Sequence, residues 1–173
     1  MCIKKWAGLV LLGLVMVLQL AACGAGGDPD VVEPEADGDV GLARQALVEF
    51  FDRLHAGDYA GASELYGGSY EVLTGYNPDL DPQDHEALFR NACKLSGLQC
   101  LRVRSARLQG GSADGGGYQF AVEFSRADGE LFVLGPCCGA TETEQPSQSE
   151  FVFTVVRVAE GKYQVLDLPV YMP

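Results

Sequence analysis

Residues 150–169 read EFVFTVVRVAEGKYQVLDLP, and this stretch sets the fold class. Aromatic and β-branched residues fill 150–159 at a period near two, which predicts a long strand. Glu160-Gly161-Lys162 turns the chain into a last strand over 163–168. The same period runs upstream. In 118–126, Tyr118, Phe120, Val122 and Phe124 share one face, and Gln119, Glu123 and Ser125 the other. Ala127-Asp128-Gly129 reads as a tight hairpin turn leading to a strand over 130–134. A polar loop, 135–148, then leads to the final pair. The first strand spans 98–109 and is joined to the second by a loop over 110–117 with five glycines.

Before Gly97 the period is helical. The folded part starts near Val40, and Leu42, Ala46, Leu47, Phe50, Phe51 and Leu54 recur on one helical face. Gly57 stops this helix. Asp58 caps a second one over 59–66, which Gly67-Gly68 breaks. A loop passes through Asn77-Pro78. Asp81-Pro82-Gln83-Asp84 opens a third helix: Asp81 caps it, Pro82 suits its first turn, and a second acid favours the positive end of its dipole. Ala87, Leu88, Phe89 and Ala92 follow, and the helix ends near Ser96-Gly97. Helices followed by antiparallel strands give an α+β domain, with three helices on one face of a curved meander. Its core is expected to hold Leu47, Phe50, Phe51 and Leu54 against Tyr118, Phe120, Val122, Phe124, Phe151 and Phe153.

The chain divides into residues 1–22, 23–39 and 40–173. The first part has Lys4 and Lys5, then an apolar run over 6–20 broken only by Gln19, and two alanines before Cys23. This is the layout of a secretory signal. The run is short for a spanning helix, which needs about 20 residues. Leu20-Ala21-Ala22-Cys23 resembles the bacterial lipobox. That resemblance implies lipidation of Cys23, which becomes the first residue of a processed protein held outside the cytoplasmic membrane of a bacterium. Residues 24–39, GAGGDPDVVEPEADGD, carry six acids, no base, four glycines and two prolines, the composition of an extended tether.

All 24 acids but only 10 of the 12 Lys and Arg lie beyond Cys23, so the processed chain carries a formal charge of −14. Such a charge opposes nucleic acid and anionic headgroups as partners. The membrane partner is therefore reached through the lipid on Cys23. Outside the cytoplasm thiols oxidise, so Cys93, Cys100, Cys137 and Cys138 are disulfide candidates. Cys93 closes the third helix and Cys100 opens the first strand, which makes them a pair. On a meander in which 130–134 runs beside 118–126, Cys137 falls opposite about Tyr118, near 25 Å from Cys100 at about 3.3 Å per residue, beyond bridging reach. Cys137 and Cys138 then either close on each other or stay reduced.

Residues 46–66, ALVEFFDRLHAGDYAGASELY, and the ending at 150–169 carry a second resemblance. A helix, a Gly-Asp-Tyr step, a second helix and a terminal meander closing on Gly161-Lys162-Tyr163 look like the nuclear transport factor two-like superfamily, the cystatin-like cone. The resemblance implies a bent sheet wrapped on a long helix with a pocket between them. The superfamily holds ketosteroid isomerase, scytalone dehydratase, transport factors and binding proteins, so it leaves function open.

Three functions follow as expectations. The first is non-catalytic binding of a small molecule or an envelope protein. The second is an isomerase or dehydratase drawing on Asp84, His85, Asp52 or Glu64. The third is a structural envelope lipoprotein without a ligand. Asp84 and His85 are the acid–base candidates, but neighbours on a helix point about 100° apart. His55 suits the C-terminal carbonyls of the first helix. Arg102, Arg104 and Arg107 either bind an acidic ligand or pair with Glu123 and other acids across the sheet. No zinc spacing, phosphate loop or nucleophile elbow is present, and no cofactor is implied. Pro136-Cys137-Cys138-Gly139 admits either a staple of its loop or a redox or ligand-sensing role.

Overall fold

The computed structural model describes residues 38–111 and 116–172. The signal segment, Cys23 and the tether up to residue 37 lie outside the described residues, as do 112–115 of the glycine loop. The first helix, α1 (Gly38–Ala56), begins two residues before Val40, so Gly38 and Asp39 belong to it. Asp39 sits in its first turn, where an acid suits the dipole, and pairs with Arg157 at 3.1 Å. Ala43, Leu47, Phe50, Phe51 and Leu54 are buried at successive helical spacings. Leu42, expected on that stripe, is 41% exposed. It lies about 100° round the helix from Ala43. Gly57 ends α1 with φ +81°.

Asp58 caps α2 (Tyr59–Glu64), its Oδ1 accepting from the Gly61 amide at 3.0 Å. The helix stops short of Tyr66, which bridges in parallel to Val165. A further helix, α3 (Glu71–Tyr76), stands where a loop was expected, so the described residues hold four helices. Its sequence, EVLTGY, is poor in helix formers. Tertiary contacts hold it: Leu73 is buried, and Asn77, whose Nδ2 donates to the Leu73 carbonyl, accepts from Asn91. Next comes α4 (His85–Leu95), capped by Asp84 and not by Asp81. Asp84 Oδ1 accepts from the Ala87 amide at 3.0 Å, while Asp81 closes a turn by accepting from the Gln83 and Asp84 amides. The later start puts Leu88, Phe89 and Ala92 into the core.

The strands are β1 (Arg102–Gly111), β2 (Gly117–Ser125), β3 (Phe151–Ala159) and β4 (Lys162–Val165), antiparallel in the order β1-β2-β3-β4. The fold is α+β. Leu98, expected to open the first strand, makes an isolated bridge to Tyr171 instead. A larger departure concerns 130–134. The turn at 127–129 forms, with the Arg126 amide donating to the Glu130 carbonyl, but the return is no strand. Leu131 bridges Ser125, the Phe132 amide reaches the Phe124 carbonyl, and Leu134 then pairs with Gln148. The place beside β2 belongs to β3, with Phe120 opposite Phe153 and Tyr118 opposite Val155. Consequently Cys137 does not lie opposite Tyr118.

The core lies between α1 and the sheet. Phe120, Val122, Phe124, Phe153 and Val155 are almost wholly buried, and Phe151 is 8% exposed. Tyr118 is only half-buried. Phe51 meets Phe124 and Phe153, with ring centroids 4.8 and 5.0 Å away. On the other side of α1, Phe50 meets Tyr66 and Phe89 at 5.9 and 6.0 Å. Two of these pairs, Phe51–Phe153 and Phe50–Phe89, meet edge to face, and aromatic pairs add about 0.5–1.5 kcal/mol each to simple burial.

Candidate functional site

The C-terminal ends of α1 and α4 converge on one groove. Its cause is covalent. Cys93 in the last turn of α4 is bonded to Cys100 just before β1, with Cα atoms 5.7 Å apart. Gly97 makes the turn between them at φ +84°, and a Cβ there would collide with the Met172 carbonyl oxygen. The turn leaves a cavity of about 310 Å³ lined by Leu54, His55, Tyr59, Lys94 and Leu95 together with 97–100. Leu54 and Leu98 are buried, and Leu95 is 78% exposed. Across the groove His55 Nδ1 lies 3.1 Å from the Cys100 carbonyl oxygen. A carbonyl only accepts, so Nδ1 carries a hydrogen, and in the neutral ring Nε2 keeps its lone pair. Lys94 adds a cation. The groove thus sets a cation and an imidazole in a largely polar wall beside the exposed Leu95, and it is within the size range of small-ligand sites.

The acid–base candidates are dispersed. Asp84 is exposed and spends its carboxylate on the α4 cap. His85 stacks on Tyr70 with ring centroids 3.7 Å apart and planes 7° apart. Asp52 faces Arg102 at 3.7 Å, and Glu64 is exposed on α2. Arg107 pairs with Glu150 at 2.6 Å, and Arg104 donates to the Gly129 carbonyl. Glu123 accepts from Ser105, not from an arginine. Among the described residues no group of three or more His, Cys, Asp or Glu is placed to hold a metal ion, and no helix is long and apolar enough to cross a membrane.

Cys137 and Cys138 are not bonded; their sulfurs lie 2.6 Å apart in the loop over 135–148. The loop is folded. Leu134 and Gln148 close its base with two backbone hydrogen bonds of 2.8 and 2.9 Å. Glu142 accepts from Ser147, and Glu144 from Thr141, each through amide and hydroxyl. These hydrogen bonds hold both carboxyls below the usual carboxylate range.

Sequence reading singled out His55 but not Tyr59, Lys94 or Leu95. Tyr59 lies 35 positions before Lys94 along the chain, and only the α4–β1 turn brings the two ends together. The expected Cys93–Cys100 pair was the one signal pointing there. No family model, curated protein or solved structure matches the chain.

Proposed function

We propose that the chain is an exported lipoprotein whose domain over 40–173 is a non-catalytic binding module. Lys4-Lys5, the apolar run and Leu20-Ala21-Ala22-Cys23 support processing at Cys23. The acidic segment after Cys23 supports a tether that holds the domain away from the bilayer. We read the domain as a nuclear transport factor two-like cone, on the helix, Gly-Asp-Tyr step and closing hairpin. The groove beside Cys93–Cys100 carries the binding reading. It brings Lys94 and His55 together beside the exposed Leu95 in a largely polar groove, a setting for a small carboxylate.

Benzoate and phenylacetate are suitable probes. Titrated into the full chain to about 1 mM, the scale of weak specific binding, they should shift NMR signals of His55, Lys94, Leu95 and Leu98. Lys94→Glu should abolish the shifts. Shifts that survive Lys94→Glu, or none at these residues, would reject the groove as the site. Membrane placement is tested separately: Cys23→Ser should leave the precursor unprocessed or mislocalised, and normal processing of that variant would refute lipidation.

A further inference from the structure

Among the described residues two cysteines are bonded and two are not, and their settings differ. Cys93 and Cys100 pack against the core, where their bridge ties α4 to the segment entering β1. Cys137 and Cys138 sit on a surface loop, Cys137 half-buried and Cys138 exposed. The loop holds the two sulfurs together. Cys138 has φ +61°, the one non-glycine residue with positive φ among the described residues, and Gly139 follows at +88°. The Cys137 amide donates to Gln145 Oε1 at 3.2 Å, and its carbonyl accepts from the Ala140 amide at 3.0 Å. Cys137 is thereby tied through both its amide and its carbonyl. The bonds of Glu142 and Glu144 brace the rest of the loop.

We propose that Cys137 and Cys138 form a surface thiol–disulfide exchange site, oxidised by a disulfide and reduced by a thiol. Cys138, the exposed sulfur, meets the incoming disulfide R–S–S–R. Its thiolate attacks one sulfur, the R–S–S–R bond breaks, and the departing RS⁻ takes up the proton that Cys138 released. The mixed disulfide Cys138–S–S–R then lies beside Cys137. The Cys137 sulfur attacks the Cys138 sulfur and expels the second RS⁻, which takes the Cys137 proton. One disulfide is reduced to two RSH as two thiols become one Cys137–Cys138 bond. Two RSH run the sequence backwards. Holding the second thiol in contact with the first makes ring closure intramolecular, so it outruns attack by a second external thiol. The hydrogen bond shared by the two sulfurs holds the Cys137 pKa above its ordinary value.

Trypsin separates the two pairs. Cleavage after Arg90, Lys94 and Arg102 puts Cys93 and Cys100 on peptides 91–94 and 95–102, while 127–157 carries Cys137 and Cys138 together. The full chain is treated with oxidised glutathione in one arm and oxidised protein disulfide isomerase in another. It is then quenched with an alkylating agent and mapped. Peptide 127–157 should lose two hydrogens, resist alkylation and carry no glutathione, and dithiothreitol should restore both thiols. Cys137→Ser should instead retain glutathione on Cys138, at about tenfold or more the level of the unaltered chain. Closure in the glutathione arm means that a small disulfide suffices; closure only with the isomerase means that the donor is a protein. Two glutathiones on peptide 127–157 would overturn the proposal. So would free thiols in both arms, or no difference between Cys137→Ser and the unaltered chain.

Discussion

Phe51 on α1 meets Phe153 on β3 edge to face, with centroids 5.0 Å apart and ring planes at 82°. Phe51 also touches Phe124 on β2 and its neighbour Phe50, so one side chain ties the helix to two rings of the sheet. Phe51→Ala should cost about 3–5 kcal/mol in urea unfolding, as for other large core truncations. Leu42→Ala, on the exposed side of the same helix, should change stability by under about 0.5 kcal/mol. Similar costs at the two sites would mean that the buried stripe of α1 is misplaced.

That stripe was legible because Leu47, Phe50, Phe51 and Leu54 repeat at one period over several turns. So were β2 and β3, whose alternating aromatics bury one face. Three features were not legible, for physical reasons. Helix α3 depends on Leu73 and Asn77 meeting α4, a contact that EVLTGY does not announce. The 130–134 segment has strand composition, yet β3 competes for the same edge of β2 and takes it. The groove needs Tyr59 and Lys94 to meet through a turn that neither residue encodes. Cys93 was correctly paired with Cys100, but the strand order used to exclude Cys137 was not the one observed.

Asp81 and Asp84 both precede α4, and only Asp84 caps it, through the Ala87 amide. Asp84→Ala should lower stability by about 1 kcal/mol, the usual effect of losing an N-cap side chain. Asp81→Ala removes only a turn hydrogen bond at an exposed site and should cost less. Equal losses in thermal unfolding would restore Asp81 as a second cap.

Tyr66 and Tyr70 set the alkaline limit. Burial pushes the Tyr70 hydroxyl up to about 12 from 10.0, and burial, then Tyr70 and Asp167, push Tyr66 up as well. Their folded values lie above the unfolded ones. Their stabilising effect is therefore complete below pH 10.0 and is lost as pH rises from there toward about 12. Absorbance of tyrosinate should appear together with loss of near-ultraviolet dichroism. Among the described residues the Tyr70 hydroxyl has no hydrogen-bond partner, so Tyr70→Phe should leave neutral stability within about 0.5 kcal/mol and make the alkaline loss shallower. An unchanged alkaline profile in that variant would remove Tyr70 from the account.

Cys93 and Cys100 close a loop with a sequence separation of 7. A loop that short restricts the unfolded chain little, so the bridge should contribute at most about 2–3 kcal/mol. The double variant Cys93→Ala/Cys100→Ala should fold and unfold at lower urea by that amount. Its larger effect should be local. Without the bridge, α4 loses its disulfide tie to the strand entrance, leaving backbone hydrogen bonds of Ser96, Leu98, Gln99 and Met172 to hold the turn. Amide hydrogens of Leu98 and Ser96 should then exchange faster, while those of Phe120 and Phe153 should slow or quicken only with global stability. Exchange that rises equally at all four amides would show that the bridge acts on the whole domain and does not shape the groove.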